Sequence, residues 1–115
     1  MWYHREKEFF MIITTTDTIA GKTISETLGL VQGGIVRAKH LGSDFAAGMR
    51  NLVGGEVKGY TEMMEHSRQD ATDRMVAEAK KLGADAVVGV RYGSSTLMGG
   101  AAEILAYGTA VKLKK

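Results

Sequence analysis

Every turn in this chain has to be made without proline. There are fifteen glycines and no prolines in 115 residues. Glycine alone therefore supplies the positive-φ positions and the close approaches that a compact chain needs. The chain is long enough for one domain. Its 44% hydrophobic and 24% charged composition is that of a globular chain rather than a disordered one.

Between the glycines, hydrophobic periodicity sets the elements. Phe9 to Thr16 is apolar and β-branched and predicts a strand. Asp17 to Lys22 predicts a turn with Gly21 near its tip. From Thr23, Ile24, Leu28 and Leu30 share a face, and the parity slips to Val31 and Ile35 across Gly33-Gly34. A glycine pair at a parity change predicts a β-bulge in one long bent strand. Ser43 can cap a short helix whose face is Phe45, Met49 and Leu52, ended by Gly54 and Gly55. A second helix is predicted from Tyr60 to Leu82. Its stripe is Tyr60, Met64, Ala71, Met75, Ala79 and Leu82, interrupted by Ser67 and Arg68 and stopped by Gly83. Met63, Met64 and Met75 have core spacing, which explains them better than a thioether metal site does.

Ala84 to Tyr92 predicts a strand apolar on both faces, with Val88, Val90 and Tyr92 on one and Val87 and Gly89 on the other. Such a strand is covered on both sides or meets another subunit. Gly93 to Gly100 predicts a loop. Residues 101–114 predict a last strand, with Leu105, Tyr107, Thr109, Val111 and Leu113 on one face. The small residues Ala106, Gly108 and Ala110 on its other face permit close approach of a second surface. The order β-β-α-α-β-β predicts an α+β domain, a mostly antiparallel sheet with helices packed on one face. The domain spans 11–115, and residues 1–10 are an N-terminal extension.

Several function classes are excluded. With no cysteine there is no disulfide, thiolate metal site or cysteine nucleophile. No apolar run of 18 residues spans a membrane, and MWYHREKEFF has no signal-peptide core, so a cytoplasmic protein with no membrane partner is expected. A net charge of +2 predicts no nucleic-acid partner, and Lys112, Lys114 and Lys115 read as a solvated strand end.

The stretch TTTDTIAGKTIS ends like a phosphate-binding loop. That loop requires Gly-x-x-x-x-Gly-Lys-Ser/Thr between a strand and a helix. The position five before Gly21 is Thr16, and a strand pattern follows Thr23, so a glycine turn is predicted instead. Gly54 and Gly59 repeat the spacing, but the lysine position is Tyr60.

Glu62, His66 and Asp70 lie at i, i+4 and i+8 on the long helix and are the candidate ligands of a divalent metal. The same spacing describes a solvated helix face. Arg68 is the candidate ligand-binding residue, an anion anchor in a subunit crevice; a packed stem with a paired head is the alternative. His40 falls in a polar loop and His4 in the extension. No serine sits in G-x-S-x-G, and no catalytic residue is assigned.

Four blocks in order, MIITTTDTIAGKTISETLGLVQG, GSDFAAGMRNLVGGEVKGY, AEAKKLGADAVVGVRY and LAYGTAVKL, resemble the YbjQ-like family over residues 11–113. The resemblance implies a subunit similar in outline to the dodecin type, assembling into a ring, a homopentamer. It also implies the heavy-metal-binding label that the family carries. The reading is then a cytoplasmic, ring-forming, non-enzymatic protein, its partner itself, that binds a small ligand or metal at subunit interfaces. The alternatives are a scaffold for a protein partner and an enzyme with an interface active site.

Overall fold

The computed structural model describes residues 2–6, 9–38, 58–97 and 101–115. The strands are β1 (Trp2–Glu6), β2 (Phe9–Ile13), β3 (Ile24–Ala38), β4 (Ala86–Thr96) and β5 (Ala101–Leu113), and the helix α1 is Lys58–Lys81. They form one five-stranded sheet in the order β1-β2-β4-β5-β3. Only the β2–β4 pair is parallel; the others are antiparallel. This is the predicted α+β class. The helix predicted from Ser43 lies outside the described residues. Residues 2–6, read as part of an extension, pair with β2 from Trp2↔Ile12 to Glu6↔Phe9. Residues 93–96, predicted as loop, continue β4 and pair with β5 through Thr96↔Ala102.

Along α1 the buried face is Met63, Ser67, Ala71, Met75 and Ala79, at helical steps of four, with Thr72 and Val76 beside it. Ser67 belongs to the stripe rather than interrupting it. Its hydroxyl donates to the Met63 carbonyl at 2.8 Å, which removes the cost of burying it. Arg68, one residue on, turns out to solvent, and Leu82 is exposed. Gly83 ends the helix at φ 79°. Its N–H donates to the Lys80 carbonyl at 2.9 Å and that of Ala84 to Ala79 at 3.1 Å, the paired bonds of a Schellman cap.

The helix covers one face of the sheet. Met11, Ile13, Val31, Val87, Val90, Ile104, Ala106 and Ala110 pack with Ala71, Met75, Val76 and Ala79. The small-residue face of β5 thus receives α1 of the same chain. Gly33 marks the closest approach. No bulge lies there: Gly33↔Ala106 and Gly34↔Leu105 are in regular register, and the irregularities fall between Ile24 and Glu26 and between Thr27 and Gly29. The glycine is required because helix backbone lies against it.

The other face has a smaller core of Ile12, Ala86, Val88 and Val111, with Ile19, Ile24 and Leu113 packed on it. Ile19 arrives from the segment 14–23, which folds over that end of the sheet. Its backbone extends the parallel pairing with β4. The Thr14 N–H donates to the Val87 carbonyl at 3.0 Å, Gly89 N–H to Thr16 at 2.9 Å and Val90 N–H to Thr14 at 3.0 Å. The two-faced apolar strand is therefore covered on both sides within one chain.

β4 contains a bulge that the alternation of its residues does not show. Val88 pairs with Thr109 and Arg91 with Tyr107, so Gly89 and Val90 together oppose Gly108. The extra residue reverses parity. Val87 and Val90 face the helix and Val88 faces away, correcting the predicted grouping of Val88 with Val90. Gly89 sits at φ 62°, in the left-handed region. A methyl there meets nothing closer than Asp17 Oδ1 at 3.7 Å, so strain rather than space decides the cost. Gly89→Ala is expected to lose about 1–2 kcal/mol, and Gly89→Asn less, because asparagine tolerates this region. Urea unfolding of the three proteins checks it, and an alanine variant as stable as the parent would contradict the bulge.

Candidate functional site

The TTTDTIAGKT segment is a structural cover. Gly21 lies at φ 77°, and the Lys22 N–H closes the turn on the Ile19 carbonyl at 3.1 Å. β3 follows at Ile24, so no helix N-terminus points at a phosphate. The threonine hydroxyls are used within the segment. Thr16 Oγ1 donates to the Thr18 carbonyl, and Thr14 Oγ1 lies 2.9 Å from Thr16 Oγ1. Since the Thr16 proton is engaged, Thr14 donates to Thr16. Arg91 Nη1 donates to the Thr15 carbonyl at 2.9 Å and fixes the segment from the sheet side. The second near-miss includes Gly54, outside the described residues.

Glu62, His66 and Asp70 do lie on α1, the first two exposed. A rise of 1.5 Å per residue separates the first from the last by about 12 Å, too far for one ion to hold all three. Asp70 has its own partner: its Oδ2 accepts from Arg37 Nη2 of β3 at the sheet–helix boundary. Among the described residues no group of three His, Cys, Asp or Glu gathers to hold a metal ion. The described residues of one chain thus offer Glu62 and His66 as a two-donor face. His40 lies outside the described residues.

Arg68 lines an open depression of about 350 Å³ with Glu65, Gln69, Thr72 and Tyr92. Thr72 Oγ1 donates to the Arg68 carbonyl at 2.7 Å, so the Tyr92 hydroxyl, 2.7 Å from the same oxygen, donates to Thr72. The phenolic oxygen keeps its acceptor capacity, with the Arg68 guanidinium on the same depression. Gln69 Nε2 donates to Asp73 at 2.9 Å. Arg68 is legible in the sequence as a candidate; Thr72 and Tyr92 are not. Correct parity through the Gly89 bulge is the signal that places Tyr92 on the helix side.

A second feature is a surface. Beyond the end covered by residues 14–23, no described element packs on the sheet face opposite α1. Leu30 (68% exposed), Val36 (59%) and Tyr107 (38%) stand on it. β3 is also an outermost strand, and no other described strand pairs with its second edge.

A family model described as "Putative heavy-metal-binding" matches residues 11–114. A UPF0145 protein of Thermotoga petrophila is 62% identical over 105 residues, covering 91% of this chain and 99% of the relative. UPF0145 proteins of Methanosarcina acetivorans and Archaeoglobus fulgidus are 59% and 58% identical, covering 90% and 95% of this chain and 97% and 99% of the relatives. Among solved structures, a protein of unknown function from Pediococcus pentosaceus, assigned to the DUF74 family, superposes with a TM-score of 0.65. It is 19% identical and the match covers 90% of this chain and 98% of that one, a likeness of fold. With near-complete coverage at about 60% identity, this chain belongs to the YbjQ-like family, the UPF0145 proteins.

Proposed function

We propose that the protein is a subunit of a closed homo-oligomeric ring, a pentamer as its family resemblance implies. In this reading it works in the cytoplasm without catalytic chemistry and holds a small ligand or divalent ion where subunits meet. The observation that carries the reading is the outer strand β3. It is long, free of proline, and presents Leu30 and Val36 to solvent beside a backbone edge that no described strand pairs. Edge strands of stable monomers are blunted by charge, proline or cover. Here the bulges fall only between Ile24 and Gly29, and pairing with β5 is regular from Leu30 to Ala38. The elongated subunit, 55 × 26 × 25 Å with a radius of gyration of 17.1 Å, supports the same reading, since a compact chain of this length has about 13 Å. No helix among the described residues is long and apolar enough to cross a membrane.

The ligand part of the proposal rests on incomplete sites. Glu62 and His66 supply two donors to an ion that takes four to six, and in this reading a neighbouring subunit brings further ones. The exposed Arg68 beside Tyr92 offers the matching anchor for an anionic ligand. Glu62→Ala combined with His66→Ala is expected to lower divalent-ion uptake per subunit. Elemental analysis after equilibration with Zn²⁺, Ni²⁺ or Mn²⁺ measures it, and equal uptake by parent and variant would remove this site. A ring that holds no ligand would move the proposal to a scaffold whose open sheet face meets a protein partner.

A further inference from the structure

At the carboxyl end of β5 the chain gathers several lysines. An open cavity of about 480 Å³ there is lined by Ser25, Gly83, Asp85, Lys112, Leu113, Lys114 and Lys115. Lys112 lies across the glycine that ends α1: its Cε and Nζ are 3.8 and 4.0 Å from where a Cβ on Gly83 would stand. Lys22, at the tip of the Gly21 turn, is brought to the same end because the Lys114 N–H donates to the Thr23 carbonyl at 2.7 Å. The last turn of α1 adds Lys80 and Lys81.

Among the described residues the opposing side-chain charges at this end are few. Asp85 uses Oδ2 to accept the Leu113 N–H at 2.8 Å. Glu78 pairs with Lys81 at 3.3 Å. Glu26 stands opposite Lys112 in the β3–β5 register without an ion pair to it. The carbonyls at the helix end carry about half a negative charge, which Lys80 and Lys81 already complement. Lys112, Lys114 and Lys115 line the opening, Lys22 lies on the turn next to Thr23, and none of the four is in a described ion pair.

We propose that this basic end is a binding site for a small multivalent phosphate anion of the triphosphate class. Ammonium groups are compact point charges that suit phosphate oxygens without the planar fork that carboxylate recognition uses. Several of them spread about one cavity favour an anion with several charged groups over a single phosphate. The patch is confined to one end, and its lining holds no aromatic side chain on which a base would stack, which argues against a nucleic-acid groove. The glycine-lysine-threonine turn then contributes its lysine to a phosphate site through tertiary placement, with no Walker geometry. The proposal does not depend on the ring or on Arg68.

Calorimetric titration of inorganic tripolyphosphate into the full chain tests it. Saturable binding at one site per chain is expected in low salt, weakened in about 0.5 M salt, where charges are screened beyond roughly 4 Å. Lys112→Gln with Lys114→Gln is expected to weaken it at least about tenfold, the loss of only a modest attraction at each ammonium. Lys22→Gln with Lys115→Gln should act in the same direction and leaves β5 untouched within its strand. Both pairs are exposed, so the melting curve without ligand should match the parent. No saturable binding in low salt, or parental affinity in both double variants, would overturn the proposal. Displacement of tripolyphosphate by duplex DNA with affinity that grows with duplex length would also overturn it, by showing a nucleic-acid surface instead.

Discussion

Replacing Gly33 with alanine is expected to destabilise the subunit by about 3 kcal/mol or more, the upper range for overpacking. An added Cβ would stand 2.3 Å from the Ala71 carbonyl oxygen, 2.4 Å from the Met75 nitrogen and 2.7 Å from Arg74 Cβ. Two of these are helix backbone, so no rotamer change relieves the contact. The helix must lift from β3, and that loosens Ala71 and Met75, both fully buried. Against a total stability of roughly 5–15 kcal/mol, the loss is a large fraction. The melting temperature should fall by more than about 10 °C. Gly34 supplies the contrast. Its Cβ would meet Leu105 Cδ1 at 3.6 Å, ordinary contact on the opposite face. Gly34→Ala should therefore change stability by less than about 1 kcal/mol, with reduced unfolded-state entropy working in its favour. Urea unfolding of the two variants side by side decides the matter; equal losses would contradict the close approach of α1 to Gly33.

The second large effect concerns assembly. Leu30→Glu together with Val36→Glu is expected to release single subunits. Both side chains are more than half exposed in the isolated chain, so the subunit should tolerate the change. In a junction formed by β3, each new carboxylate would be buried without a partner, at about 3 kcal/mol or more. Two such charges weaken a junction more than about a hundredfold. Light scattering after size exclusion should give the single-chain mass for the variant at concentrations where the parent is a ring. The parent's melting temperature should rise with protein concentration and the variant's should not. A variant of the same particle mass as the parent would remove β3 from the interface.

Much of the architecture is legible in the sequence because its long elements keep one period. Residues 58–81 repeat at helical spacing up to an unambiguous glycine stop, and 24–38 and 101–113 read as strands. What fails is the meaning of individual glycines. Gly33, Gly34 and Gly89 look alike in sequence. Only packing shows that Gly33 admits a helix, that Gly34 is simply open on its face, and that Gly89 carries a left-handed bulge. That one bulge reverses the parity of β4 and hides the Tyr92–Thr72 contact from any reading by alternation. Ser67 reads as an interruption of the stripe because polarity suggests exposure, although a buried serine in a helix can bond the carbonyl four residues back. The candidate metal residues were legible by spacing. The partner that occupies Asp70 was not, since Arg37 lies 33 positions away on another element. Likewise, the cover over the second face of β4 comes from residues 14–23, which sequence shows only as a turn.

The proposed closure of this subunit into a ring fixes the mass of the particle. A native mass spectrum of untagged protein, purified without added metal or chelator, tests it most directly because it weighs the particle and its contents together. A closed pentamer is expected as a species of five times the 12.4 kDa chain, carrying a stoichiometric extra mass that Glu62→Ala with His66→Ala reduces. A single-chain species at micromolar concentration would contradict it.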